Sequence, residues 1–248
     1  LILGDWAWPF GIAFAVDRLS AVLIAVSALI ALVCLVFQAA RVDPAARRPA
    51  TLALVHGLMA GVGGAFATGD LFNLYVWFEV MLIAALGLLA HRGRPAELDG
   101  TLRYLVLNMV GTLVLLVGIA VVYGATGQLN FVALARAGSD PLLAAGVGLL
   151  AVAFLAKAAA FPLFSWLPAA YHVLPAPLLA LFAGLLSKVG VYALLRLFGQ
   201  VFPAALAGWQ AVLGALAVAT MLAGALVLIA LSEILPHYEG QLIRWIGY

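Results

Sequence analysis

Two lysines occur in this sequence, Lys157 and Lys188, and both lie deep inside strongly apolar stretches. An acid, Glu79, lies inside a third, Leu71-Phe72-Asn73-Leu74-Tyr75-Val76-Trp77-Phe78-Glu79-Val80-Met81-Leu82. An ionised side chain in hydrocarbon is expensive and is retained where it has a use. Burial favours the uncharged form of an acid or an amine, and an opposite charge nearby favours the charged form. An acid and an amine sharing such a place can therefore hold their protons in more than one arrangement, and moving one proton alters the energy of the next site. Lysine suits this chemistry, whereas arginine keeps its charge. The three residues imply a path for protons or ions through a membrane. A static buried ion pair would account for the acid and one base, but it leaves the second lysine without a role.

Other polar side chains are weaker candidates. His56 falls early in an apolar stretch, where a neutral ring donating to a carbonyl competes with a relay role. His172 follows Tyr171 and could pass protons onward from Lys157. Asp70 abuts the apolar run that carries Glu79 and is read as a helix cap or the lining of a channel entrance. Asp17 and Arg18 are read as a local pair, and His237 and Glu239 as members of a polar tail. The histidines lack the short spacing of a metal site, so no metal ligand set is expected. Gly184-Leu185-Leu186-Ser187-Lys188 ends like a phosphate loop but lacks the leading glycine. No hydrolase arrangement of serine and histidine stands out. The sequence implies neither a catalytic centre nor a cofactor of its own, and whether the chain serves an enzyme complex is left open.

These residues need a hydrophobic frame, and the composition supplies it. Of 248 residues, 67% are hydrophobic and 9% charged, and the mean hydropathy is +1.21. Soluble domains carry roughly 25% charged residues. The chain therefore reads as one all-α, polytopic transmembrane helix bundle over residues 1–248, with lipid around it and no nucleic-acid partner. About seven spans of about 20 residues can be drawn, at 17–37, 51–68, 71–90, 103–123, from 142 to Pro162, 175–197 and 205–231. Single Cys34 permits no disulfide within the chain, and the first residues show no basic n-region of a secretory signal. Gly57, Gly61 and Gly64 share one helical face and favour close helix contact.

The arginines set an expected orientation. If the first span ends in the cytoplasm, that side receives Arg41, Arg47, Arg48, Arg92, Arg94, Arg103 and Arg244, and the other receives Arg18, Arg136 and Arg196. The positive-inside rule then places the N-terminus outside and the C-terminus in the cytoplasm. Trp6, Trp8, Trp77, Trp166 and Trp209 lie near expected ends or breaks, as interfacial rings do. The fifth span is expected to be discontinuous near Phe161-Pro162, because Pro162 gives no N–H to the carbonyl of Ala158 and crowds it. Broken helices at membrane depth recur at ion sites, and Lys157 stands one turn before this one.

Three stretches resemble the proton-translocating membrane subunits shared by respiratory complex I and Mrp-type sodium/proton antiporters, the D-type antiporter subunits above all. They are Thr68 to Glu79, Lys157-Ala158-Ala159-Ala160-Phe161-Pro162-Leu163 with Trp166-Leu167-Pro168, and Ala183 to Tyr192. Tyr104 to Asn108 and Gly124 to Asn130 add to them. The likeness reaches about residue 230 and corresponds to the third to about the ninth helix of the family. It implies that Glu79 pairs with Lys157, that Lys188 continues the relay, and that residues 51–199 form a five-helix channel unit, one half of an inverted repeat. The family's broken helix usually continues with a histidine where Ser165 stands and an acidic or amide residue where Ala169 stands; His172 could substitute. The segment Leu231 to Glu239 also lacks the lysine-bearing connection expected there.

The expected function is a proton-translocating membrane subunit of a multisubunit cation (sodium)/proton antiporter in the bacterial inner membrane, working with other membrane subunits on protons and sodium. Two alternatives stand beside it. One is a proton-pumping subunit of an NADH:quinone oxidoreductase or membrane hydrogenase complex, and the other is a non-transporting membrane scaffold.

Overall fold

A computed structural model describes residue 6 and residues 11–40, 49–138 and 140–246, with the backbone alone for 49, 169 and 228–246. Trp8, Arg41, Arg47 and Arg48 lie outside the described residues, and the side chains of Ala169, His237, Glu239 and Arg244 lie outside the described side chains. The helices are α1 (Arg18–Ala40), α2 (Pro49–Ala67), α3 (Leu71–Ala90), α4 (Pro95–Thr126), short α5 (Phe131–Leu134), α6 (Pro141–Lys157), short α7 (Trp166–Tyr171), α8 (Ala176–Arg196) and α9 (Leu206–Ile246). A π turn (Leu197–Val201) and a 3-10 turn (Pro203–Ala205) join α8 to α9. Among the described residues six helices are long and apolar enough to cross a membrane, and α6 is a shorter apolar helix of 17 residues. This is the all-α bundle of about seven spans expected from hydropathy.

Local chemistry explains where the helices start and stop. Asp70 caps α3 by accepting from the Asn73 amide at 2.9 Å, and Asp140 caps α6 from Leu142 at 2.8 Å. Pro95 opens α4, where its missing N–H leaves no acceptor unsatisfied. Gly127 closes α4 in the left-handed region at φ 65°, its amide donating to the Tyr123 carbonyl. The helix is thus longer than the expected 103–123. Likewise α9 runs on to Ile246, beyond the expected end at 231.

Small residues set the packing. Gly57, Gly61 and Gly64 press α2 against Ala84, Met81 and Trp77 of α3. Gly111 and Gly118 do the same for α4 against α6, and Gly146 returns the contact from α6 to Val122. Trp77 is therefore packed into the α2–α3 seam, not laid at an interface. One end of the bundle is closed by backbone pairing: the Gly69 amide donates to Ala13, Leu71 to Leu129 and Phe131 to Gly69, all at 2.8–2.9 Å.

Asp17 does not pair with Arg18. Its carboxylate meets Arg196 at the far end of α8 in a two-pronged ion pair at 2.5–2.6 Å. Arg196 also donates to the Ser20 and Tyr192 hydroxyls, and Tyr192 donates to the Phe66 carbonyl at 2.8 Å. A guanidinium offers five donors in a fixed fork, which a neighbouring arginine in sequence cannot aim back at Asp17 so well. This network ties α1, α2 and α8 at one end.

Candidate functional site

Lys157 is the last residue of α6, and the chain stops being helical there. Ala158 is the cap, and Ala159 takes the left-handed region at φ 56°. The Phe161–Pro162 peptide is cis. Helix resumes only at Trp166. The break thus falls where the proline predicts it, with the last helical turn ending before Pro162. Two of its loose polar groups find side-chain partners: the Trp166 indole donates to the Ala156 carbonyl at 3.0 Å, and the Phe161 amide donates to Thr220 Oγ1 of α9 at 2.9 Å. Trp166 is 4% exposed, so it is an internal strut of the break and not an interfacial anchor.

The Lys157 amine points into the bundle at 7% residue exposure. It donates to Thr112 Oγ1 at 2.8 Å and reaches the Asn108 carbonyl at 3.5 Å, both on α4. The Phe78 ring lies with its centroid 5.5 Å from Nζ, close enough for a cation–π attraction. Gly111 lies beside the lysine stem, with Lys157 Cε 3.9 Å from where a Cβ would stand. Gly190 of α8 lies against the Lys157–Ala158 backbone, where any Cβ would overlap it.

Glu79 is the residue after Phe78 on α3 and is half-buried. Its carboxylate lies within electrostatic reach of Lys157 but does not come within the 4 Å of a direct ion pair. One of its oxygens, Oε1, is buried without a hydrogen-bond partner. The structure thus brings Glu79 and Lys157 to the same interior.

Lys188 is placed differently. It stands two residues before Gly190, so the two positions face about 200° apart around α8. The amine is exposed and bends back to the Ala183 carbonyl at 2.6 Å and Ser187 Oγ at 3.3 Å. Val191 and Leu195 share this open face, 47% and 57% exposed. His56 and His172 are also exposed, each with Nδ1 against the carbonyl of the residue four earlier, Leu52 and Pro168. Asp70 is buried and acts as the α3 cap; burial pushes its carboxyl up, while the Asn73 and Phe72 amides pull it back. Among the described residues no group of His, Cys, Asp and Glu could hold a metal.

Sequence reasoning missed Thr112 and Asn108 as the groups that hold the amine. Their signal was spacing: Tyr104, Asn108 and Thr112 recur every four residues, one face of a helix. Asn108 Nδ2 donates to the Tyr104 carbonyl at 3.0 Å along that face.

The profile of the family described as NADH:quinone oxidoreductase/Mrp antiporter, TM, matches residues 68–234. The D-type subunit of the Na(+)/H(+) antiporter of Alkalihalophilus pseudofirmus is 39% identical over 206 residues, covering 82% of this chain and 42% of that protein. The D-type subunit of the probable K(+)/H(+) antiporter of Rhizobium meliloti is 41% identical over 206 residues, covering 81% and 38%. A chain in the structure of the Mrp complex from Dietzia superposes with a TM-score of 0.76 at 34% identity, covering 82% of this chain and 39% of that one. The chain thus spans less than half the length of these relatives. It belongs to the NADH:quinone oxidoreductase/Mrp antiporter transmembrane family.

Proposed function

From that membership we propose that the chain is a proton-translocating membrane subunit of a multisubunit cation/proton antiporter, with residues 51–199 as its five-helix channel unit. The observation that carries the reading is the Lys157 amine, buried where α6 stops, with a carboxylate near it but not bonded to it. A direct contact pair would lock both charges. Separation leaves the ammonium held by a neutral hydroxyl and carbonyl, which favour it less strongly than a carboxylate in contact would. Glu79 then biases Lys157, and Lys157 alternates between ammonium and amine. Thr112 serves both states, because its hydroxyl accepts from the ammonium and can turn to donate to the amine.

Lys188 carries the proton onward from the far face of α8. An ammonium among Val191 and Leu195 is costly against lipid, which supports this face packing on a polar surface of the complex. Asp70, the α3 cap, borders the channel entrance, and the exposed His56 and His172 exchange protons at the periphery. The arginine distribution supports an N-terminus outside and a C-terminus in the cytoplasm of a bacterial inner membrane. Moving a charge through the full potential involves roughly 2.3 kcal/mol per 100 mV, equal to one to two units of roughly 1.4 kcal/mol each in a proton affinity. A neighbouring charge can supply a bias of that size.

The test is proton transport by the assembled complex in membrane vesicles, with sodium and with potassium, since the two relatives are named for different cations. Lys157→Ala and Glu79→Ala are each expected to lower it at least about 10-fold, the size of a lost proton-transfer group. Normal transport in both, at normal complex levels, leaves the scaffold reading in place. The family description also admits a redox-driven pump using the same residues, and co-purifying iron–sulfur subunits in place of antiporter subunits would decide for it.

A further inference from the structure

Beside Lys157 lies a cavity of about 20 Å³, bordered by Lys157, Tyr104, Asn108, Trp166, Phe78 and Leu186 among others. That is room for a single water, and a water needs two to four polar partners. Lys157 Nζ, the Asn108 side chain and the Tyr104 hydroxyl offer three.

Tyr104 is the informative member. It is 3% exposed, and among the described residues its hydroxyl has no hydrogen-bond partner. Buried phenols usually find one. The neighbouring Tyr171 does: its hydroxyl donates to the Phe182 carbonyl at 3.1 Å. Packing against Trp166 holds the Tyr104 ring, centroids 5.6 Å apart and planes at 74°. The hydroxyl contributes nothing to that packing.

A second unpartnered group lies further along the same helix. Glu97, in the first turn of α4, is 4% exposed, and its Oε2 is buried without a partner. At 100° per residue, Glu97, Tyr104, Asn108 and Gly111 fall within about 60° of one another around α4. One stripe of the helix therefore carries a buried acid, a free phenol and, at Asn108, a carbonyl that Lys157 reaches. The proposed function gives neither Tyr104 nor Glu97 a role.

We propose that Tyr104 is the group through which Lys157 exchanges protons with the N-terminal end of α4, where Glu97 receives them. The inference rests on the proposed function. Lys157 passes from ammonium to amine as a cavity water takes its proton and gives another to the Tyr104 oxygen. Tyr104 releases its own hydroxyl proton along the stripe and is neutral before and after. Glu97 passes from carboxylate to carboxylic acid, so one proton moves and total charge is conserved. The stretch from Tyr104 to Glu97 is about 10 Å along the axis, about two turns of α4.

The experiment compares Tyr104→Phe, Glu97→Gln, their double variant and Lys157→Ala in the assembled complex, reading proton transport per complex. Phenylalanine keeps the ring packing and removes only the oxygen. Each single variant is expected to lose about 10-fold or more, and the double variant to lose no more than the worse single, as for two steps in series. Full transport in Tyr104→Phe at wild-type complex levels overturns the proposal. Where that variant does not accumulate, unchanged transport in Glu97→Gln overturns it. Losses that multiply in the double variant also overturn it, because they mark independent effects. Lys157→Ala separates the two layers: if it transports normally the proposed function falls, and if it alone is inactive only the Tyr104 route falls.

Discussion

Lys157 is held by Thr112 more than by any charge. The hydroxyl lies at 2.8 Å, and the other acceptor, the Asn108 carbonyl, lies at 3.5 Å. Thr112→Val keeps the shape and removes the acceptor, leaving a buried ammonium short of a partner. We expect a loss of about 1–3 kcal/mol in the stability of the charged form and a several-fold fall in proton transport, with Thr112→Ser restoring both. Transport equal to wild type in Thr112→Val contradicts this. At this scale the sequence was legible where it broke a rule. Lys157 and Glu79 stood out because they are charged in apolar runs. Thr112 did not, because a threonine in a membrane helix breaks no rule and bonds to its own backbone as readily as to a neighbour.

The interrupted helix depends on close contacts from two other helices. Gly190 lets α8 touch the Lys157–Ala158 backbone, and Trp166 fills the gap between the two helical pieces. Gly190→Ala forces α6 and α8 apart or bends one of them, at a cost of about 1–3 kcal/mol. The purified complex should melt several degrees lower, and Lys157 should lose its distance to Thr112. A melting curve superposable on wild type rules this out. Pro162 announced the break, since no sequence with a proline there can complete the α6 ladder. The exact stopping point was not readable. It depends on Ala159 adopting a left-handed conformation that alanine rarely takes and that only the surrounding packing can enforce. Gly57, Gly61 and Gly64 were readable as a seam, because their period points to one face, and they do meet α3.

Over the whole molecule, the Asp17–Arg196 pair joins segments 179 residues apart. Nothing local in a sequence announces such a partner, and the adjacent Arg18 was the plausible wrong choice. Asp17→Ala leaves Arg196, whose side chain is 8% exposed, without its carboxylate. Because the Asp17 side chain is 44% exposed, the expected cost is about 1–3 kcal/mol, below the ~3–5 kcal/mol of a fully buried pair. The arginine holds the Asp17 carboxyl below the usual carboxylate range. The stabilisation is therefore complete above the unpaired value of 3.8 and fades as pH falls from there toward the lowered one. Thermal stability of wild type should exceed that of Asp17→Asn by a constant margin from neutral pH to about pH 5, narrowing in stronger acid. A margin that grows in acid refutes the assignment. The number of spans was legible from hydropathy, but Lys188's outward face was not, because its orientation depends on which side of α8 meets α6.

Thr220 accepts from the Phe161 amide, and its helix is largely open to its surroundings, with Trp209 against Phe198 near its start and no residue buried in the most apolar stretch of Pro203–Val227. A sideways slip of α9 by a few ångströms would take that acceptor away from the kink. The loosely seated outer rod is thus wired to the most delicate bend of the inner bundle, so whatever leans on α9 in the assembled complex also tugs on the loop that anchors Lys157.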